Sequence, residues 1–260
     1  MNNSKQSDNG ACAQGAFESE PAKGFESQIV QAEFDQLADD YHRQHEENVA
    51  ITGESPEYFS EYKISDLSDY IKGASLSAKS ILDFGSGIGN SIPYFRKYFP
   101  NSSLSCADVS TRSMEISRGR FPGRENYVLI DNGRLPLESG SQDVVFSACV
   151  FHHIPHSEHE QWLSELRRVT RKGGVLAIYE HNPLNPLTVR AVNTCPLDVN
   201  ARLIYARQMR QRAKASGWVQ GRTDYRLFFP AFLAKLRPME QHLGWLGLGA
   251  QYRLLARQAT

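Results

Sequence analysis

Apolar residues in this chain recur with two periods, and the change from one to the other marks out its elements. Residues 1–24 show neither period; they are rich in Asn, Ser, Gln, Gly and Ala and read as a disordered tail. Over residues 27–46, Val30, Phe34, Leu37, Ala38 and Tyr41 fall at i, i+4, i+7, i+8 and i+11, one face of an amphipathic helix. Ser55 and Pro56 supply a cap followed by proline at the first helical position, and Gly73 closes the helix so begun.

Short continuous apolar runs then predict strands: Ile81, Leu82 and Phe84, followed by residues 104–107, 127–130, 143–148 and 175–180. Residues 90–98 read as a helix after the first strand. Ser157-x-x-Glu160 reads as a capping box for another helix, with Trp162, Leu163, Leu166 and Val169 as its apolar face and Gly173 at its end. Strands alternating with helices at this spacing predict an α/β fold with a mostly parallel sheet and helices on both faces. Beyond Pro183 the pattern changes to a basic helix over residues 199–216, ended by Gly217, and two further apolar runs, 225–229 and 252–256, as strands six and seven. Residues 243–249 between them are too few for a crossover helix, so strand seven is expected to run antiparallel to its neighbours.

The chemistry concentrates on residues 80–91, SILDFGSGIGNS. A strand, a glycine-rich turn and a helix start form a corner that suits a nucleotide-type ligand, because Gly85, Gly87 and Gly89 let the backbone turn sharply and lie against it. The dinucleotide pattern G-x-G-x-x-G requires glycine where Asn90 stands, which counts against a nicotinamide-dependent oxidoreductase. With Asp83 ahead of G-x-G-x-G, the chain resembles the class I S-adenosylmethionine-dependent methyltransferases of the small-molecule type. Strand four, followed by Val150-Phe151-His152-His153-Ile154, strengthens the resemblance, which spans residues 80–257.

That resemblance implies a seven-stranded, Rossmann-like sheet with an N-terminal helical lid over residues 25–75, and a methyltransferase domain over residues 76–260 with a helical insertion near 183–218. It implies S-adenosylmethionine as cofactor, held by Asp83, Gly85, Ser86, Gly87, Gly89, Asp108, Val109, Asp131, Asn132 and Cys149. Asp108, about twenty residues beyond the loop, suits a ribose, because a carboxylate accepts from two adjacent hydroxyls. Asp131 matches the acid that binds the adenine amino group, although Asp-Asn-Gly is also a plain turn. Tyr41, Tyr58, Tyr62 and Lys63 are lid candidates for contact with donor or substrate; core packing is the competing reading for the tyrosines.

Methyl transfer is a single displacement, and a hydroxyl acceptor needs its proton removed. His181, at the end of strand five with Glu180 to orient it, is the first candidate base and His153 the second, with packing the competing role for His153. His152 is the weakest of the three. The favoured function is methyl transfer to a small-molecule hydroxyl of a sugar or natural product. The alternatives are methylation of a protein or nucleic acid and a non-catalytic donor-binding protein.

Composition narrows this further. A formal net charge of +0 gives no electrostatic case for nucleic acid. From Pro183 onward about a dozen Arg and Lys face three acids, Asp198, Asp224 and Glu240. They read either as a solvated face or as a basic lid for an anionic or phosphorylated substrate. No apolar run approaches the ~20 residues of a membrane span. Cys12, Cys106, Cys149 and Cys195 are scattered without metal-ligand spacing, so neither a metal nor a disulfide is expected, and a cytoplasmic setting is.

Overall fold

The computed structural model describes residues 53–131 and 133–260. The expected tail, the helix over residues 27–46 with Tyr41, Cys12 and Asn132 lie outside these. Seven strands form one sheet in the order β3-β2-β1-β4-β5-β7-β6. They are β1 (Ser80–Phe84), β2 (Ser103–Asp108), β3 (Asn126–Leu129), β4 (Gln142–Ala148), β5 (Thr170–His181), β6 (Val219–Arg226) and β7 (Gln251–Arg257). Strands β1 to β5 pair in parallel, and β7 runs antiparallel to both β5 and β6. A parallel strand covered on both faces reads as a continuous apolar run, which is why β1, β2, β4 and β5 are plain in the sequence.

Alternation along each strand divides the core in two. Leu82, Val145, Leu176, Ile178, Tyr252 and Leu254 meet helices α4 (His159–Val169) and α6 (Ala206–Ala215) through Leu163, Leu166 and Met209. Ile81, Val144, Phe146, Val175, Ala177 and Tyr179 meet α1 (Pro56–Gly73) and α2 (Ile92–Tyr98) on the other face through Ile64, Leu67, Ile92 and Phe95, and α3 (Thr111–Arg120) follows β2. Asp83 therefore lies on the α1 face, while Glu180 and His181 at the end of β5 point to opposite faces. On the α1 face Arg253 is buried between Asp66 of α1 and Asp224 of β6, at 2.7 and 3.0 Å. The cysteines Cys106, Cys149 and Cys195 are free.

Several sequence expectations move. Helix α2 begins at Ile92 rather than Asn90, because the Gly89 and Ile92 amides donate to the Ser86 and Gly89 carbonyls and hold residues 86–91 in turns. The 157–160 capping box is not formed: α4 starts at His159, whose Nε2 lies 2.9 and 3.0 Å from the Phe151 and Ile154 carbonyls and anchors the helix there. Gly173 does not end that helix. Thr170 turns extended, its hydroxyl donating to the Leu166 carbonyl at 2.7 Å, and Gly173 lies inside β5 at a φ of +71°.

The basic helix shrinks to α6, because residues 196–205 run through a 3-10 turn (Pro196–Asp198) and an extended stretch held by the Arg202 amide on the His152 carbonyl at 2.7 Å. A separate helix, α5 (Pro186–Thr194), precedes them, capped by the Asn185 side chain, which accepts from the Leu187 and Thr188 amides. Strand six was expected over 225–229 and is Val219–Arg226, an edge strand whose first four residues are exposed and therefore carry no apolar signal. Among the described residues no helix is long and apolar enough to cross a membrane.

Candidate active site

At the C-terminal ends of β1 and β4, where the strand order changes direction, lies a cavity of about 910 Å3. Its first end is the glycine loop. Gly85 and Ser86 donate their amides to the Ala107 carbonyl at 2.8 and 3.0 Å, which fastens the loop to β2. Asp108, at the end of β2, accepts the Gly87 amide on one carboxylate oxygen at 2.7 Å and the Ser110 amide on the other at 2.9 Å. Gly85, Gly87 and Gly89 have φ of +75°, +50° and +81°, the left-handed region that disfavours any side chain.

Gly85, Ser86, Gly87, Asp108, Val109 and Cys149 line the cavity, as their sequence positions imply, and Ile130 joins them. Gly89 supports the loop from behind, since a Cβ there would overlap the Ser117 hydroxyl. Asp131 is exposed beside Arg134 and is not on the cavity wall. Asp83 is buried beneath the loop, with one carboxylate oxygen lacking a hydrogen-bond partner. Burial, then the charge of Asp108, push its carboxyl up to about 7, with Lys63 opposing.

The histidines form the other end. The 3-10 turn Phe151–His153 follows β4 and brings His152 over the end of β5. His152 donates Nδ1–H to Glu180 at 2.6 Å, and the other Glu180 oxygen accepts the Val150 and Phe151 amides at 3.0 and 2.7 Å. Glu180 thus orients His152 and not His181, because strand alternation sends the two β5 neighbours to opposite faces. His181 lines the cavity with its ring 5.2 Å from that of His152. Burial and the neighbouring His152 lower His181 to about 4 and His153 to about 3, so both are neutral at physiological pH. His152 is held well above the usual imidazole range: Glu180 and Asp198 overcome the cost of burying its charge.

Asp198 escaped the sequence reading, in which it figured only as one acid in a basic stretch. Its Oδ1 lies 3.4 Å from Nε2 of His152 and 3.5 Å from Nε2 of His153. The histidine pair was a visible signal; its carboxylate partner, some 45 residues further on, was not.

Three more walls close the cavity. The first turns of α1 contribute Tyr58 and Lys63, whose ammonium is buried 5.6 Å from the Tyr62 ring centroid. Tyr62 donates to the Gln251 side chain. Phe228 and Phe229, expected in strand six, line the cavity beyond β6, where Leu227 turns the chain at a φ of +62°. Helix α6 packs on α4, β6 and β7 and contributes nothing to the cavity; Arg207 and Arg210 are exposed while half-buried Arg212 lies against His159 Nδ1, so none of its arginines forms a lid. Of the basic C-terminal residues only Arg190 and Arg237 reach it, and Arg237 is paired with Glu54 over the Tyr58 ring.

Residues 82–178, which carry the loop, Asp108 and the histidine pair, match the family model described as a methyltransferase domain. This segment is a class I methyltransferase domain. The chain is 31% identical over 163 residues to a phthiotriol/phenolphthiotriol dimycocerosates methyltransferase of Mycobacterium leprae, an alignment covering 61% of this chain and 58% of that protein.

Solved structures share the domain's fold at low identity. Haemonchus contortus phosphoethanolamine N-methyltransferase 2, in complex with phosphomonomethylethanolamine and S-adenosylhomocysteine, superposes with a TM-score of 0.64 at 18% identity, covering 89% of this chain and 60% of that one. A SAM-dependent methyltransferase of Thermotoga maritima gives 0.60 at 16% identity, covering 88% of this chain and 99% of that one. The methyltransferase domain and its flanking elements thus span about three fifths of the length of the first two proteins.

Proposed function

We propose that the protein transfers the methyl group of S-adenosylmethionine to a small-molecule acceptor, with a sugar or natural-product hydroxyl as the favoured class. The observation that carries this reading is the single cavity joining the glycine loop and Asp108 to His152, His153 and His181. Its volume of about 910 Å3 lies toward the upper end of the range for small-molecule sites, as a donor and an acceptor together require. The relative and the neighbour named for methyl transfer support the reaction, and the difference between their named acceptors leaves the acceptor class to this chain's own residues.

In this reading the ribose hydroxyls donate to the Asp108 carboxylate and the adenine lies between Val109 and Ile130. The methionine portion follows Gly85 to Gly87, its ammonium toward Asp83 and its carboxylate toward Lys63. The acceptor oxygen attacks the methyl carbon in line with the departing sulfur, the carbon–sulfur electron pair returns to sulfur, and the hydroxyl proton passes to neutral His181. Much of the rate comes from positioning. Lys63, Arg190 and Arg237 on the wall favour an acceptor carrying phosphate or carboxylate. The net charge of +0 and a deep site favour a small molecule over nucleic acid.

Calorimetric titration with S-adenosylmethionine and S-adenosylhomocysteine, with NADH as control, tests the donor site. Micromolar binding of the first two, lost in Asp108→Ala, supports the reading and directs acceptor screening to sugars first; no binding favours a non-catalytic protein of this fold.

A further inference from the structure

We infer that His152, His153 and Asp198 form a site for a divalent transition-metal cation of the zinc class, with an open coordination position facing the acceptor end of the cavity. The metal site stands on geometry alone; only its role toward an acceptor oxygen rests on the methyl-transfer reading. One ligand atom from each residue lies within 4.8 Å of the others. The separations from Asp198 Oδ1 to the two Nε2 atoms, 3.4 and 3.5 Å, approach the edge of about 3.4 Å for a tetrahedron with metal–ligand bonds of about 2.1 Å.

The Glu180 carboxylate can only accept, so at 2.6 Å it holds a proton of His152 on Nδ1 and leaves Nε2 to face Asp198 Oδ1. The positive charge between Nε2 and Asp198 is supplied either by a second proton on His152 or by a cation that takes its place, and His153 Nε2 approaches the same oxygen. A carboxylate behind a histidine, itself held by two backbone amides, is the outer-shell arrangement that orients metal-binding imidazoles. Among the described residues no Lys or Arg forms an ion pair with Asp198, although its side chain is 10% exposed.

Two imidazoles and one carboxylate suit zinc, iron, cobalt or manganese better than calcium or magnesium, which prefer all-oxygen sites. Three protein ligands leave the fourth position for water or substrate, as in catalytic zinc sites. The ligand at that position is an oxygen donor, a hydroxyl or a phosphate of the acceptor, and a hydroxyl bound there yields its proton more readily to His181.

The test uses the full chain, stripped of metal by chelator dialysis, with Co2+ as the probe and neither donor nor acceptor present. One Co2+ per chain by equilibrium dialysis, with the visible absorption of a tetrahedral site and displacement by Zn2+, is expected. Glu180→Gln should weaken binding by roughly 10–100-fold, Asp198→Asn and His153→Ala by more, and His156→Ala should leave it unchanged. S-adenosylhomocysteine binding by each variant reports that it is folded, and His153→Ala decides the matter should Asp198→Asn not fold. Absence of stoichiometric Co2+ in the wild type, or retention by the Asp198 and His153 variants, overturns the site and leaves a second proton on His152 as the bridging charge. Failure of the wild type to bind S-adenosylhomocysteine would count against the methyl-transfer reading without touching the cobalt result.

Discussion

Gly85 and Gly87 both sit at positive φ, yet an alanine at each is expected to fail in a different way. At Gly87 the added Cβ meets nothing within 4 Å, so Gly87→Ala carries only the backbone strain of a left-handed residue, about 1–2 kcal/mol. At Gly85 the Cβ overlaps both methyl groups of Val150, the farther at 2.8 Å, which adds an overpacking cost of about 1–3 kcal/mol. The expected destabilisations are therefore about 1–2 kcal/mol for Gly87→Ala and about 2–5 kcal/mol for Gly85→Ala. Val150→Ala removes the colliding methyls, so the double variant Gly85→Ala/Val150→Ala should be more stable than the two single changes summed, with a coupling of about 1–3 kcal/mol. Equilibrium urea unfolding of the four proteins measures this cycle. Binding should order the loop variants differently, because the space open to a Cβ at Gly87 lies on the cavity wall where the donor is proposed to rest. Gly87→Ala should weaken S-adenosylhomocysteine tenfold or more, about 1.4 kcal/mol. Equal destabilisation by both glycine substitutions, without coupling to Val150, would refute the account.

Asp83 gives a pH test of the buried loop support. Its folded value of about 7 exceeds the usual ~3.9, so the native state holds a proton that the unfolded chain releases between these values. Stability from this group therefore falls as pH rises from about 4 to 7, by up to about 4 kcal/mol, and Asp83→Asn should gain on the wild type across that window, read as the difference in urea midpoints at pH 4.5 and 8. A gap that does not change with pH would sink the argument. Arg253→Ala removes one charged partner from half-buried Asp66, which keeps Arg226 and the Tyr179 hydroxyl, and one from buried Asp224, which keeps Arg222; it should cost about 1.5–3 kcal/mol in the same assay, and a loss below about 0.5 kcal/mol would show that these remaining partners replace it. His181→Ala should depress turnover far more than donor affinity, and comparable losses in both would remove His181 as the base.

How legible each part was follows from how locally it is encoded. The glycine loop, Asp83 and Asp108 lie within one strand–helix–strand unit and act largely through backbone amides, so spacing alone located them. Strands β1, β2, β4 and β5 were legible because burial on both faces writes an apolar run. Strand β6 was misplaced for the converse reason: its exposed Val219-Gln220-Gly221-Arg222 is silent, while Phe228 and Phe229, apolar because they wall the cavity, mimic a strand. The capping box at Ser157 was a correct local signal that lost to His159 and its two long-range bonds to carbonyls. Asp131 matched a family position in sequence but is exposed at a short bridge with Arg134.

The acceptor end resisted reading because no local period builds it. Strand alternation turns Glu180 and His181 to opposite faces, so their adjacency in sequence suggested a pair that the sheet forbids. What joins them is His152, held by Glu180 on one side and with its ring tilted 5.2 Å from that of His181 on the other, with Asp198 arriving from the 3-10 turn beyond α5. Each contact spans a different sequence separation, and each is made by a side chain that also has an ordinary structural use. A helix N-cap or a glycine turn announces itself through the backbone it must bend; a charge network announces itself only when its members meet. The donor end is thus fixed by main-chain geometry that few residues can satisfy. The acceptor end depends on side chains from separate segments, which can change one at a time while the loop and Asp108 stay in place. A shared domain can therefore serve relatives named for different acceptors, and the acceptor of this chain has to be argued from His152, His153, His181 and Asp198 rather than from the loop.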